Sequence, residues 1–138
     1  NMISSIIDVK ATMKCPYSVV FTDLNGLKRV NDENGHTEGD NLLKTTAHLF
    51  SGIFYDAEVF RAGGDEFMIL ASEMDEDVLE ARLKRVAEQA DKENIHVSIG
   101  TYVVREGEDI RTAMRVADER MYADKNAYYE AHPELKYR

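Results

Sequence analysis

The sequence predicts an α+β domain in which helices cover a mixed β-sheet. Short runs of β-branched and aromatic residues alternate with longer segments whose apolar residues recur at helical spacing. Two of the short runs flank Gly63-Gly64, a residue pair typical of a hairpin turn. The glycine-rich fingerprint of doubly wound nucleotide folds and the P-loop are both absent, which excludes those two classes.

The first half of the chain predicts a helix, a strand and a second helix. The first helix covers residues 2–13, and its apolar positions are Ile3, Ile6, Ile7 and Met13. A buried strand is predicted over residues 17–22 from its β-branched and aromatic content. A polar, glycine-containing stretch at residues 25–39 has no element assigned to it. The second helix carries one continuous apolar face, formed by Leu43, Ala47, Phe50 and Phe54.

The second half predicts a hairpin, a helix, a strand and a closing helix. The hairpin joins strands at residues 59–61 and 66–71. The helix after it is striped by Leu79, Leu83, Val86, Ala87 and Ala90. Alternation over residues 97–103 predicts the last strand, and the closing helix carries Ile110, Ala113, Met114, Ala117 and Met121. The predicted order of elements is therefore α-β-α-β-β-α-β-α.

Length and composition are those of one globular domain. The 138 residues can bury one core, and 43% of them are hydrophobic and 31% charged. No apolar run approaches the roughly 20 residues of a membrane span, so we expect no membrane contact by this domain. Cys15 is the single cysteine, which excludes an internal disulfide and favours a cytoplasmic setting. The net charge of −9 argues against a nucleic-acid partner.

Acidic residues stand where the chemistry is expected, at the ends of predicted strands. Asp23 closes the first strand, and Asp65 and Glu66 follow the glycine turn. If the first strand lies beside the hairpin, facing side-chain roots are about 4.5–5.5 Å apart, so the carboxylates could share a hard divalent cation. Glycines at the turn would let a phosphorylated ligand lie against the backbone. The alternative is a tight hairpin with solvated acids.

Four separated motifs resemble those of GGDEF domains, the diguanylate cyclase family, and they occur in the family's order. The first runs from Asp23-Leu24-Asn25-Gly26-Leu27-Lys28 through Asn31-Asp32 and Gly35-His36 to Gly39-Asp40. The others are Arg61-Ala62-Gly63-Gly64-Asp65-Glu66-Phe67, Val97-Ser98-Ile99-Gly100, and Ala117-Asp118 through Met121-Tyr122 to Lys125. The resemblance covers nearly the whole chain, so residues 1–138 are interpreted as a single GGDEF domain. It implies a cyclase-like or palm-like sandwich with a central, mostly antiparallel five-stranded sheet of the βααββαβ plan.

The resemblance also implies a metal centre and a catalytic acid. Asp23 and Asp65 resemble the metal ligands, helped by the backbone carbonyl of Leu24. Glu66 resembles the acidic residue needed for catalysis, either at a second metal or in activating the attacking hydroxyl. The implied cofactor is Mg²⁺ or Mn²⁺, because both accept the same oxygen ligands.

The implied substrate is GTP. By resemblance, Gly63 and Gly64 accommodate the α-phosphate, Lys28 and Lys125 neutralise the β- and γ-phosphates, and Asn31 and Asp40 read guanine. A carboxylate at Asp40 suits guanine, because the N1–H and N2–H₂ donors lie side by side and adenine lacks that pair.

The implied activity is condensation of two GTP molecules into cyclic di-GMP with release of pyrophosphate. One domain holds one GTP, so two copies are expected to face each other about a two-fold axis as a transient homodimer. Because the chain begins with Asn1 and lacks the family's opening motif, we expect it to be a piece of a larger signalling protein with a sensory or regulatory domain before it. Two alternatives stay open: a domain that binds GTP to regulate a neighbour, and a dimerisation domain that binds no nucleotide.

Several positions depart from the family pattern or have ordinary structural interpretations. The positions of the inhibitory product site, Arg-x-x-Asp, hold Phe54 and Ala57, which predicts no strong product inhibition through that site. Tyr129 stands where the family often has an arginine, which predicts weaker phosphate binding. His36 is interpreted as a structural loop residue, Tyr122 as a core residue, and the acids at 75–77 as the solvated start of a helix.

Overall fold

A four-stranded antiparallel sheet lies at the centre of the part of the chain that the structure describes. The computed structural model describes residues 2–135, with side chains from residue 6 onward; the predicted apolar position Ile3 therefore lies outside the described side chains. The strands are β1 (Tyr17–Leu24), β2 (Glu58–Arg61), β3 (Glu66–Ala71) and β4 (Val97–Val104). Their order across the sheet is β2-β3-β1-β4.

The expectation of five strands is wrong for the described residues, in which four are found. The βααββαβ plan itself contains four strands, and each one lies where the periodicity predicts it. The sheet is also fully antiparallel rather than mixed, because β1 pairs with β3 on one side and with β4 on the other, both antiparallel. The predicted hairpin is confirmed by the pairing of β2 with β3.

Five α-helices and one short 3₁₀-helix surround the sheet in the described region. They are α1 (Met2–Lys10), α2 (Leu27–Asn34), α3 (His36–Ile53), α4 (Glu76–Lys92), α5 (Ile110–Ala131) and the 3₁₀-helix Pro133–Leu135. Helix α1 ends three residues before the predicted boundary. Helix α2 lies in the polar stretch to which no element was assigned, and it contains no buried residue from which periodicity could reveal it.

The two faces of the sheet bury two separate apolar clusters, because successive residues of a strand point to opposite faces. One cluster, under α3 and α4, contains Val20, Phe50, Ile69 and Val86. The other, under α1 and α5, contains Val19, Phe21, Met68 and Met121. Strand β1 is buried along its whole length. By the same alternation, Asp23 and Glu66 project on the α5 side of the sheet.

Helix α5 lies directly on β4, and Gly100 is the reason it can. A Cβ atom at Gly100 would collide with the backbone of Ala117 and Met121. One turn further along α5, Asp124 Oδ2 accepts a hydrogen bond from the Ile99 N–H at 2.8 Å. This close packing brings the next residue, Lys125, to the end of β1, where Asp23 lies.

Candidate functional site

Three carboxylates meet at the end of the central strands. Asp23 on β1 pairs in register with Glu66 on β3, and Asp65 precedes Glu66 at the hairpin turn. One carboxylate oxygen from each of the three residues lies within 4.8 Å of the others. Asp23 is 2% exposed, while Asp65 and Glu66 are partly buried. The antiparallel pairing of β1 with the hairpin therefore places the acids as the sequence predicts.

The buried carboxylate of Asp23 has one partner and one open oxygen. Its Oδ2 accepts a hydrogen bond from Lys125 Nζ at 2.9 Å, so a basic side chain contacts the acidic cluster. Its Oδ1 is buried and, among the described residues, has no hydrogen-bond partner. Burial raises the pKa of Asp23 to about 6, and the nearby charge of Asp65 adds to this while the Lys125 hydrogen bond opposes it.

The same surroundings also shift the pKa values of Glu66 and Lys125. Burial raises the pKa of the Glu66 carboxyl, and the charge of Asp65 raises it further. Burial by itself would lower the pKa of the Lys125 ammonium, but the hydrogen bond and charge of Asp23 outweigh it, so the pKa of Lys125 is raised. The Lys125 charge therefore offsets the burial of the acids only in part, since the pKa values of both Asp23 and Glu66 are still raised.

The residues present fit a small divalent cation. Three carboxylates supply the hard oxygen ligands that Mg²⁺ and Mn²⁺ prefer. The unpartnered Oδ1 of Asp23 is a buried acceptor, and a buried acceptor without a partner costs about 1–3 kcal/mol. A cation between the carboxylates would satisfy that oxygen.

The glycine turn beside the acids is held by three hydrogen bonds to its carbonyl groups. Arg61 Nε donates to the Gly63 carbonyl at 3.1 Å, and Arg61 Nη2 donates to the Gly64 carbonyl at 2.6 Å. The Asp65 carbonyl accepts from the Leu24 N–H at 2.8 Å, which ties the turn to the end of β1. The sequence does not predict the hydrogen bonds of Arg61. Arg61 is the first residue of the motif, and the motif does not show which groups its side chain contacts.

An open cleft of about 710 Å³ adjoins Asp65. Its walls are α2 and α5, with the 3₁₀-helix at one end, and its lining includes Leu24, Lys28, Asp65, Tyr122, Lys125 and Tyr129. The interpretation of Tyr122 as a core residue is wrong, since its side chain is 57% exposed. Met121 occupies the buried stripe of α5, and the next residue is rotated by about 100° away from it.

Tyr129 contacts the loop that leads into α2. Its hydroxyl accepts a hydrogen bond from the Gly26 N–H at 3.2 Å, across 103 residues of sequence. Gly26 has φ of 81°, a left-handed conformation that favours glycine, and it precedes the first residue of α2. The position at which the family often has an arginine therefore carries a neutral side chain that supports this loop.

The two residues predicted to read guanine lie on neighbouring helices, away from the cleft lining. Asn31 is partly buried on α2, and Asp40 is exposed on α3. The Asn31 carboxamide lies against Gly39, where a Cβ atom would overlap Asn31 Oδ1. Helices α2 and α3 therefore pack closely at Gly39, next to Asp40. Gly63 and Gly64, like Asn31 and Asp40, are outside the lining of the cleft.

The positions of the family's product site carry no ligand-binding groups. Phe54 is 1% exposed in the core, and Ala57 is partly buried. The neighbouring surface is occupied by a pair in which both oxygens of Asp56 accept hydrogen bonds from Arg82.

The acids at 75–77 do start a helix: Asp75 precedes α4, and its side chain accepts from the Val78 N–H at 3.1 Å. His36 is exposed at the first residue of α3 rather than in a loop. In the region described, no helix has the length and apolar character to cross a bilayer.

Comparison with known proteins identifies one family over nearly the whole chain. The family model for the diguanylate cyclase GGDEF domain matches residues 3–130. The chain belongs to the GGDEF family. Solved structures of GGDEF domains also share its fold: the active GGEEF domain of a diguanylate cyclase from Vibrio cholerae superposes with a TM-score of 0.74 at 23% identity, covering 91% of this chain and 85% of that one.

Curated relatives of this GGDEF chain include both synthetic and degradative proteins by name. The probable diguanylate cyclase DgcT of Escherichia coli K12 is 29% identical over 128 residues, 83% of this chain. The cyclic di-GMP phosphodiesterase PdeR of the same organism is 42% identical over 69 residues, 49% of this chain. The matches span 28% of DgcT and 10% of PdeR, so this GGDEF chain covers less than a third of either relative.

Proposed function

We propose that this GGDEF domain is a diguanylate cyclase, which condenses two GTP molecules into cyclic di-GMP and two pyrophosphates. The observation that carries the proposal is the cluster of Asp23, Asp65 and Glu66, whose oxygens lie within 4.8 Å around a buried, unpartnered carboxylate oxygen. The cluster adjoins a cleft lined by two lysines, Lys28 and Lys125. Acids that hold a cation beside lysines that face a cleft are suited to a nucleoside triphosphate.

The metal centre of the proposal uses oxygen ligands from two strands. Asp23 and Asp65, with the Leu24 carbonyl, would hold Mg²⁺ or Mn²⁺, and Glu66 would complete a second metal position or accept a proton. Bound divalent cations lower the pKa of an attacking hydroxyl and stabilise the charge on a pentavalent phosphorus. The Glu66 carboxylate has an oxygen within 4.8 Å of oxygens of both Asp23 and Asp65, a position compatible with either role.

The reaction makes two phosphodiester bonds. In each, the 3′-hydroxyl oxygen of one GTP forms a bond to the α-phosphorus of the other. The bond from that phosphorus to the bridging oxygen of the β-phosphate breaks, and pyrophosphate leaves with the electron pair. Glu66 would take the proton of the hydroxyl or complete a second metal position. Lys28 and Lys125 would neutralise the β- and γ-phosphates, and Gly63 and Gly64 leave room for the α-phosphate.

Asn31 and Asp40 are the proposed guanine contacts. Their position outside the lysine-lined cleft supports a base site separate from the triphosphate site, between α2 and α3. An acceptor-only carboxylate at Asp40 would pair with the N1–H and N2–H₂ donors of guanine, and would be left without donors by adenine. The test is the relative turnover of GTP and ATP.

Each domain would supply half of the catalytic site. One bound GTP presents a single α-phosphate and a single 3′-hydroxyl to a partner, so two copies must face each other about a two-fold axis. The chain covers less than a third of its curated relatives. We therefore also propose that a sensory or regulatory domain elsewhere in the whole protein controls this encounter.

The experiment that tests the proposal is a product assay with GTP and with ATP, at matched Mg²⁺ and after chelation. Cyclic di-GMP should form from GTP only with the metal present. Asp40→Ala should reduce the preference for GTP over ATP more than it weakens triphosphate binding. An unchanged GTP-to-ATP ratio in Asp40→Ala would count against the guanine assignment, and metal-independent turnover would count against the metal centre.

A second candidate function is a GGDEF domain that binds GTP and regulates a neighbour without making product. The observation that favours it is Tyr129, whose neutral hydroxyl is engaged by the Gly26 N–H at the position where a cationic phosphate ligand is expected. GTP binding that depends on Mg²⁺, without product even in a forced dimer, would select this function.

A further inference from the structure

The glycine turn does not need its glycines for the fold. Neither Gly63 nor Gly64 has a positive φ, and a Cβ atom at Gly64 would meet nothing within 4 Å. At Gly63 the nearest atom to a Cβ would be Glu66 Oε2 at 3.4 Å, close to an ordinary contact. The space that a side chain at Gly64 would occupy is therefore open, and a ligand that lies against the backbone needs such open space.

All three successive carbonyl groups of the turn are engaged by the protein. Those of Gly63 and Gly64 accept from the guanidinium of Arg61, and that of Asp65 accepts from the Leu24 N–H. In a trans peptide the C=O and the N–H point in opposite directions. The N–H groups of Gly64 and Asp65 consequently point away from Arg61, and neither donates to an acceptor in the described part of the chain.

Two successive unpartnered N–H groups form a concavity that binds anions. The guanidinium behind the turn polarises the two carbonyls and adds positive charge to a region dominated by three carboxylates. Arg61 also has a fixed fork, so two of its nitrogens can hold two adjacent carbonyls at once; a lysine ammonium has no such geometry. The orientation of both peptide units thus depends on one side chain at the end of β2.

We propose that Arg61 is a positioning residue for the reacting phosphate. Its guanidinium fixes the Gly63 and Gly64 carbonyls on one side of the turn, so that the Gly64 and Asp65 N–H groups donate to a non-bridging α-phosphate oxygen on the other. This inference rests on the proposed function, which supplies the phosphate. Because the contact is to an oxygen on the phosphorus that is attacked, Arg61 acts on turnover more than on GTP affinity.

The test compares Arg61→Met and Arg61→Lys with the parent, using Arg120→Met as the matched control. Arg120 also donates from its guanidinium to a backbone carbonyl, that of Thr101 at 2.8 Å, but on β4 away from the turn. Arg61→Met should lower kcat by about 10-fold or more while KM for GTP changes by less than about 3-fold. Arg61→Lys should rescue little, and Arg120→Met should change neither constant. Equal kcat in Arg61→Met and the parent would overturn the proposal.

Substrates with sulfur in place of one non-bridging α-oxygen give a readout that a general loss of stability would not move. The diastereomer whose slow turnover is relieved by replacing Mg²⁺ with Mn²⁺ has its sulfur at the metal, since softer metals accept sulfur better. The other diastereomer places its sulfur at the turn. Its rate penalty should shrink in Arg61→Met, because the hydrogen bonds are already lost, and persist in Arg120→Met. A full penalty in Arg61→Met would contradict the inference.

Amide NMR separates failure of this inference from failure of the proposed function. In the nucleotide-free protein, Arg61→Met should shift the carbonyl ¹³C signals of Gly63 and Gly64, and Arg120→Met should not. With Mg²⁺ and GTP, the Gly64 and Asp65 amide signals should move in the parent and much less in Arg61→Met. Carbonyl shifts equal to the parent's would overturn the role of Arg61 alone. If the Gly64 and Asp65 amide signals of the parent do not move when GTP binds, the phosphate contact is wrong. If the parent binds no GTP at all, the proposed function is wrong as well.

Discussion

Asp23 and Asp56 each pair with a basic side chain from a distant element, but the two carboxylates differ in how many of their oxygens accept hydrogen bonds. Both oxygens of Asp56 accept from Arg82, at 2.8 and 2.9 Å, and Arg82 also donates to the Ile53 carbonyl. Asp23 accepts from Lys125 on Oδ2 only, and its buried Oδ1 has no described partner. In the described part of the chain, the Asp56 pair uses both carboxylate oxygens, and the Asp23 pair leaves one buried oxygen without a hydrogen bond.

The pKa values of the two carboxyl groups also move in opposite directions, each with a different main cause. The hydrogen bond from Arg82 lowers the pKa of Asp56 and outweighs the opposing effect of burial. Burial raises the pKa of Asp23 to about 6 despite its lysine. An ion pair can therefore mark either a structural clamp or a ligand site, and what distinguishes them is whether the buried oxygens are satisfied.

The largest expected effect is loss of function at the incomplete pair. Asp23→Ala and Asp65→Ala should each reduce Mg²⁺-dependent GTP binding or turnover by at least about 100-fold, since even residues that only support a metal ligand are worth 10–100-fold. The fold should persist, as measured by circular dichroism. Asp56→Ala is the matched control and should keep GTP binding. Variants at Asp23 and Asp65 that bind Mg²⁺-GTP as the parent does would show that the site lies elsewhere.

A smaller effect is expected at the cleft beside Asp23, where Tyr129 takes the place of a cation. Tyr129→Phe leaves the Gly26 N–H without its acceptor and should raise KM for GTP by about 3- to 10-fold. Tyr129→Arg loses the same acceptor but adds a positive charge to the cleft, so its KM should be lower than that of Tyr129→Phe. Tyr128→Phe removes the hydroxyl of the adjacent ring, which does not line this cleft, and should change KM little. A Tyr129→Arg variant that binds GTP more weakly than Tyr129→Phe would contradict the assignment of the cleft to phosphates.

The smallest effect is on the free energy of unfolding, which Asp56→Asn should lower and Asp23→Asn should not. Asp56→Asn should lower the free energy of unfolding at pH 7 by about 0.5–1 kcal/mol, because the pair is partly exposed. Asp23→Asn removes a buried charge without changing shape, so metal-free stability at pH 7 should not fall. Urea unfolding of both variants measures this. Greater destabilisation by Asp23→Asn than by Asp56→Asn would reverse the comparison.

The pH dependence of Asp56→Asn follows from the lowered pKa of Asp56. A carboxyl group with a lower pKa in the folded protein stabilises fully above its unfolded value, which is about 3.9, and loses that contribution as the pH falls through the folded value. The stability difference between parent and variant should therefore be constant from pH 7 to about pH 5 and shrink below about pH 4. A difference that grows on acidification would contradict the clamp.

Much of the fold was predictable because burial imposes a period on the sequence. The four strands and the pairing of β1 with the hairpin follow from residues such as Val19, Val20 and Ile69, which are fully buried. Helix α2 could not be found in this way, since none of its residues is buried and it is stabilised by packing on α3. The five-stranded expectation came from resemblance rather than from periodicity, and only four strand patterns exist.

The acids of the site were predictable as strand-end residues, but the contacts that complete it were not. The hydrogen bond from Lys125 to Asp23 spans 102 residues, and that between Tyr129 and Gly26 spans 103. Both depend on how closely α5 approaches β4, which is set by Gly100. The prediction that Tyr122 is a core residue is wrong because the apolar pattern of a helix defines the edge of its buried face only to within about one residue. Met121 is buried, and Tyr122 is exposed.

The most direct test of the central claim measures cyclic di-GMP formation per domain as a function of protein concentration, with and without a parallel coiled coil that holds two copies together. Each copy carries a net charge of −9, so free domains should repel and turnover per domain should rise with concentration. The fusion should raise turnover strongly at low concentration, through effective concentration alone. Turnover per domain that stays constant over a wide dilution series, in a protein shown to be monomeric, would contradict the claim that two domains each supply half of the site.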